Sequence, residues 1–213
     1  MKIITVSREF GSGGRELSKR MSDHLGWDYY DGEIIDKLIE EQGLRPQYVN
    51  MVLGNHEWRS FPITFGHSFA EMASIGISPS MAISSELLAL QKELMEKIAA
   101  SGNECIIVGR NADVLLSEYR PFKIFVCADI DFRVRRCIER STEEKDLTEK
   151  EVRRNIIKID KGRARRHESV SDARWGDRSL YNLVVNTTDW SLKALAPVVA
   201  EAALSWFKEN EGR

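Results

Sequence analysis

The feature that most constrains this chain is an alternation of short apolar or β-branched runs with longer stretches of helical periodicity. Ile3-Ile4-Thr5-Val6 reads as a buried strand. Past a glycine-rich turn, Leu17, Met21 and Leu25 recur at every fourth residue, the stripe of an amphipathic helix that Gly26 stops. Trp27-Asp28-Tyr29-Tyr30 reads as a second strand, and Ile34, Ile35, Leu38 and Ile39 mark a helix after it. Helical periodicity returns from Ile83 to Ala100, with Ile83, Leu87, Leu90, Leu94 and Ile98 on one side. Cys105-Ile106-Ile107-Val108 and Ile124-Phe125-Val126-Cys127 are continuous apolar runs, which suit central parallel strands covered on both faces. A basic helix is expected from about Phe132 to Arg140, and another from Thr148 through Arg166. The last strand is Leu183-Val184-Val185, and an amphipathic helix closes the chain from Leu192 to Phe207. Five strands interleaved with helices in this way predict an α/β fold around a parallel sheet with short connections. Ligands of such sheets bind beyond the carboxyl ends of the strands, which here are residues 11–15, Asp31, Arg110 and Asp129.

At 213 residues, one domain with an insertion is expected. The stretch from 43 to 82 interrupts the pattern with Gly43, Gly54, Gly66 and Gly76 and with Pro46, Pro62 and Pro79, and is read as an insertion or helical cap. Against 33 acidic residues stand 31 Lys and Arg, a formal net charge of −2. That balance argues against a surface built wholly for nucleic acid or anionic membrane, while leaving room for a local basic site. No apolar run approaches the roughly 20 residues that span a bilayer, and residues 1–6 lack the apolar region of a signal peptide. Cys105, Cys127 and Cys137 are too few and too scattered for a disulfide framework or a CxxC zinc site, so a reducing compartment, the cytoplasm, is expected. His24, His56, His67 and His167 show no metal-ligand spacing. The tryptophans Trp27, Trp175, Trp190 and Trp206 read as packing residues, and Trp58 as the least clear of the five.

Chemistry concentrates in the loops. Ser7-Arg8-Glu9-Phe10-Gly11-Ser12-Gly13-Gly14-Arg15-Glu16 places three glycines in four residues between a first strand and a helix. Such a turn exposes successive N–H groups at the positive helix end and forms an anion cradle, although a plain strand-to-helix turn would also use glycine. It departs from the usual G-x-x-x-x-G-K-[ST] loop. An ungapped match on Gly13 sets Arg8 at the first glycine, Gly14 at the lysine and Arg15 at the hydroxyl. The 153–166 segment gathers seven basic residues and one acid. Its arginines Arg163, Arg165 and Arg166 suit a lid over phosphates. A solvated helix face and a nucleic-acid backbone contact are the competing readings.

These residues carry a resemblance. The glycine loop, Tyr29-Tyr30-Asp31, Ile106-Ile107-Val108-Gly109-Arg110-Asn111-Ala112-Asp113, Asp160-Lys161-Gly162-Arg163-Ala164, Trp175-Gly176-Asp177 and Tyr181-Asn182-Leu183-Val184-Val185-Asn186-Thr187 occur in order along nearly the whole chain. Together the chain resembles the cytidylate kinase-like family, a branch of the nucleoside monophosphate kinases within the P-loop fold. The resemblance implies a three-layer sheet of about five strands flanked by helices. It also implies an acceptor-binding helical insertion over about 31–100 and an arginine-rich lid over about 145–170. The implied activity is phosphoryl transfer from ATP, with Mg2+, to a nucleoside monophosphate, CMP or dCMP foremost. Arg8, Gly11, Ser12, Gly13, Gly14, Arg15 and Glu16 would hold the donor phosphates, with Glu16 or Asp129 near the Mg2+. Tyr30, Asp31 and Arg110 would meet the acceptor, and Arg15, Arg110, Arg163, Arg165 and Arg166 would act in catalysis. Asp31 alternatively reads as a helix N-cap, and Arg110 as a surface residue paired with Asp113 or Glu104. Arg133, Arg135 and Arg136 are further candidates near the nucleotide. A monomer or homodimer is expected. The absent lysine keeps open a nucleotide-binding regulatory protein with weak or no transfer, and the basic helix keeps open a nucleic-acid-binding protein.

Overall fold

The structure is a computed structural model that describes residues 1–32, 85–140 and 148–212. The helix expected around Ile34–Ile39, the insertion from 43 to 82, Trp58, His56, His67 and the start of the next helix at Ile83 lie outside the described residues.

Five parallel strands form one sheet: β1 (Ile3–Arg8), β2 (Asp28–Asp31), β3 (Cys105–Val108), β4 (Phe122–Cys127) and β5 (Leu183–Asn186), in the order β2-β3-β1-β4-β5. The two longest apolar runs flank β1, so the centre of the sheet is covered on both faces; Ile4, Ile106, Ile107, Val108, Ile124 and Val126 are wholly buried. In register, Val6 lies between Val108 and Ile124, Arg8 beside Val126, and Asp31 beside Val108. The carboxyl ends of β1, β2, β3 and β4 therefore come out along one edge.

Helices flank the sheet: α1 (Gly14–Leu25), α2 (Ser85–Ala100), α3 (Ala112–Leu115), α4 (Ile130–Glu139), α5 (Glu149–Glu168) and α6 (Leu192–Glu209). Leu17 and Met21 of α1, Leu94 and Ile98 of α2, and Leu195, Val199 and Phe207 of α6 join the strands in the main core. The Gly26 stop is a left-handed C-cap at φ 69°, whose N–H bonds back to the Ser22 carbonyl. Helix α4 begins two residues earlier than its apolar pattern predicts, because Asp129 leaves β4 in an extended conformation that already serves as the helix entry. Among the described residues no helix is long and apolar enough to cross a membrane.

A smaller core joins α4 to α5 through Phe10, Val134, Val152, Ile156 and Ile159. It divides α5 into two faces. Val152, Ile156, Ile159 and His167 are buried along one, with Arg163 and Arg166 half-buried beside them, while Arg154, Lys158, Lys161 and Arg165 are exposed along the other. The helix starts with a capping box: the Thr148 hydroxyl accepts the Glu151 N–H and the Glu151 carboxylate accepts the Thr148 N–H. Thr148→Ala removes half of this exchange, so urea unfolding should show a loss of about 1 kcal/mol and Thr148→Ser almost none.

Candidate functional site

Between β1 and α1 the chain makes a turn with Gly11 at φ 77° and Gly13 at φ 81°. Both conformations favour glycine, and both positions lack room: a Cβ at Gly13 would lie 2.7 Å from Leu192 Cδ1, and one at Gly11 2.9 Å from Cys137 Sγ. Neighbouring elements brace the turn. The Ser12 hydroxyl donates to the Glu9 carbonyl at 2.8 Å, and the wholly buried Thr187 hydroxyl, beyond β5, donates to the Ser12 carbonyl at 2.6 Å. The Glu9 carboxylate accepts the Ala128 N–H beyond β4 at 3.0 Å, and Asp160 of α5 accepts the Phe10 N–H at 2.8 Å. A bare turn that opens a helix sets backbone N–H groups beside the positive helix end, the arrangement that binds phosphate; here the Ser12 N–H also reaches the Glu9 carbonyl and the Gly14 N–H the Ser12 hydroxyl, each at 3.4 Å.

The exchanged residues of the loop explain one another. A Cβ at Gly14 would stand 2.7 Å from Arg8 Cβ and 3.2 Å from Arg8 Cγ. With arginine at the first glycine of the motif, no side chain fits at the lysine position. The Arg8 side chain runs on across the sheet edge to β3, where its Nη1 would lie 1.9 Å from a Cβ at Gly109; only glycine is tolerated there.

Beyond β3, Gly109, Arg110 and Asn111 follow one another at φ 81°, 55° and 56°. Two consecutive non-glycine residues in this region are costly and persist only where the surroundings hold them. The turn brings Arg110 Nε to 3.1 Å from the place of a Cβ on Gly32, just past β2. Of the two acids expected near it, Asp113 pairs with His167 and Glu104 with Lys2. At the end of β2 the buried Asp31 carboxylate forms an ion pair with Arg15, 2.7 Å from its Nε, and accepts the Tyr29 hydroxyl at 3.4 Å. From α5, Arg163 donates to the Arg8 carbonyl at 2.9 Å and lies over the Phe10 ring, 5.5 Å from its centroid. Arg8, Arg15, Arg110, Arg163 and Arg166 thus form one field. Burial, and after it the crowding of neighbouring guanidinium groups, lowers Arg163 to about 9. Arg8 falls to about 10, chiefly through burial, although Tyr29 and Asp31 oppose the shift. Desolvated like charges raise one another's cost, and an anion among them relieves it.

The other predicted residues lie apart from this field. Tyr30 is 1 % exposed in the main core, on the strand face opposite Asp31. Arg165 sits on the exposed face of α5. Glu16 is surrounded by Arg136 at 2.6 Å and by Arg20 and Arg140, each at 2.9 Å. Burial pushes its carboxyl up, but the bonds from Arg136 and Arg20 and the charge of Arg140 outweigh that, so it titrates below the ordinary range. Arg136 in turn stands beside the loop, 3.4 Å from the place of a Cβ on Gly13. Asp129 is exposed at the end of β4.

The loop residues do not fit a protein-held Mg2+. Arg15 stands at the hydroxyl position, and the Glu16 carboxylate faces three cations. Among the described residues no group of three or more His, Cys, Asp or Glu is placed to hold a metal.

Sequence reading missed several groups that hold this geometry: Glu9, Asp113, Asp160, His167 and Thr187. Asp160, the single acid in the basic run, was the visible signal among them.

Known proteins are similar to this chain in sequence and in fold. A cytidylate kinase of Haloarcula marismortui is 24% identical over 213 residues, covering 98% of this chain and 93% of the relative. A solved structure of an uncharacterized protein from Eubacterium ventriosum superposes with a TM-score of 0.68 at 21% identity, covering 96% of this chain and 99% of the other. Shikimate kinase from Bacteroides thetaiotaomicron gives 0.51 at 13% identity, with 94% and 97% covered. At such identities the two structures speak for the fold alone. The profile of the cytidylate kinase-like family matches residues 3–189, and the chain belongs to that family.

Proposed function

We propose that the protein transfers the γ-phosphoryl group of ATP to a nucleoside monophosphate, CMP or dCMP. The observation that carries this reading is the meeting of a bare phosphate-binding turn with a desolvated arginine field on one edge of the sheet. Family membership and the named relative support it.

In this reading the N–H groups of Gly11 to Gly14 and the start of α1 hold the β- and γ-phosphates of the donor. Arg8 carries the charge that a loop lysine would bring, displaced toward β3. Arg110 grips the acceptor phosphate with two N–H groups of its planar fork, and Arg15, held by Asp31, lies on the same side. An acceptor phosphate oxygen attacks the γ-phosphorus; the bond to the β–γ bridging oxygen breaks and ADP leaves with that electron pair. The nucleophile is already an anion, so the protein's task is alignment and charge stabilisation, and Arg163 and Arg166 supply the latter from α5. Any Mg2+ would be held by the ATP phosphates and not by these side chains, and its chemistry would be charge neutralisation there. Glu16 anchors Arg136 beside the loop, and Arg165 lies outside the reaction.

A coupled assay with ATP–Mg2+ against CMP, dCMP, UMP, AMP and GMP should give the highest kcat/KM with the cytidine nucleotides. Clean ATP binding without turnover of any acceptor would sink the proposal and leave a nucleotide-binding regulatory protein. Arg110→Gln should lower kcat/KM about 10²–10³-fold, the range for one lost stabilising donor. Gly14→Lys, which restores the usual loop residue, should lower activity and thermal stability. Arg8→Gly combined with Gly14→Lys should recover stability relative to Gly14→Lys, because the clash is removed.

A further inference from the structure

Helix α5 touches the two halves of the site at positions seven residues apart. At Asp160, one carboxylate oxygen accepts the Phe10 N–H at 2.8 Å, and the other accepts Arg133 Nη1 at 2.6 Å. Arg133 Nη1 also donates to the Phe10 carbonyl at 3.2 Å, so the entry to the glycine turn is held at both its polar groups. At His167, Nε2 lies 3.0 Å from Asp113 Oδ2, with both residues buried. The preceding carbonyl, of Arg166, accepts the Asn111 amide at 3.3 Å. Asn111 and Asp113 flank the start of α3, directly after the left-handed run that aims Arg110. His167, Asp113 and Asn111 fasten that strained turn to α5, while the Gly109 N–H holds its start to the Val6 carbonyl of β1 at 3.0 Å. Asp160 and His167 share one face of a continuous helix, and the rise between them is about 10 Å.

We infer that α5 is a spacer of fixed length, in which Asp160 positions the donor turn and His167, acting through Asp113, positions Arg110. The inference rests on the phosphoryl-transfer reading above. Neither residue touches a substrate. Each registers its own half of the site, and the helix between them sets how far apart the donor and acceptor phosphates lie.

The test uses the full-length chain, with titration of a non-hydrolysable ATP analogue, CMP and inorganic phosphate by calorimetry, and circular dichroism as the folding control. His167→Leu should weaken CMP about tenfold and leave the ATP analogue within about twofold; losses of this order are usual when a group that orients a ligand-binding side chain is removed. His167→Gln, which keeps a donor toward Asp113, should stay within about threefold of the wild type for CMP. Asp160→Asn should show the opposite preference, weakening the ATP analogue more than CMP. In the double variant, His167→Leu with Arg110→Gln should bind CMP no more weakly than Arg110→Gln alone, because the histidine acts through that arginine. Equal weakening of both ligands by each single variant would mean ordinary destabilisation and overturn the spacer. So would losses that multiply in the double variant, or a His167→Leu protein indistinguishable from the wild type. If His167→Leu does not fold, Asp113→Asn decides by the same pair of titrations. If Arg110→Gln changes neither CMP nor phosphate binding, the acceptor site itself is misassigned. That result is distinct from an Arg110 effect without a His167 effect, which overturns the spacer alone.

Discussion

The stem of Arg8 fills the space that a side chain at position 14 would need, and most of the site follows from that contact. With the stem there, the first helical residue has to be bare, and the loop's own cation is lost. The guanidinium is carried across to β3, where it presses on Gly109 and makes that residue bare as well. Gly109 in turn opens the left-handed run that directs Arg110 back toward β2. One exchange at the end of the central strand thus moves positive charge from the glycine turn toward the strand beside it.

Electrostatics set the second constraint. Burial lowers Arg8 and Arg163, and the charges of neighbouring guanidinium groups, Arg110 and Arg15 around Arg8 and Arg8, Arg166 and Arg110 around Arg163, add to the effect. The nearby acids are already committed: Asp31 to Arg15, Asp160 to Arg133 and the Phe10 N–H, and Asp113 to His167. These pairs hold the cations in place without cancelling the field as a whole. The result is a folded state that tolerates local repulsion because braced backbone and packed helices over-determine it.

The sheet was legible because strands buried on both faces leave continuous apolar runs, and Cys105–Val108 and Ile124–Cys127 carry no competing pattern. The glycine turn was legible for a similar local reason: it needs glycine at two left-handed positions. The inward residues of α5 were harder. Arg163 and Arg165 are two positions apart and chemically identical, and only the packing of Ile156 and Ile159 against α4 decides which one turns inward. Glu16 was read as a metal neighbour because its partner Arg136 lies 120 residues further along the chain. His167 carried no local signal, since its meaning depends on Asp113, 54 residues away. Contacts of that separation are set by the sheet order, which a single sequence does not spell out.

Among the described residues, the charge around the cradle is borne by guanidinium groups, where a loop of the usual kind relies on an amine. An ammonium is a nearly spherical charge that tolerates many ligand poses. A planar fork binds well only when two oxygens lie in its plane. A site built from forks selects by orientation, so a phosphate that is merely close gains little until it is also turned correctly. The same chemistry changes how the protein can be attacked. Among the described residues of this field, reagents that acylate amines find no target, whereas dicarbonyl reagents, which condense with guanidinium, would meet several at once.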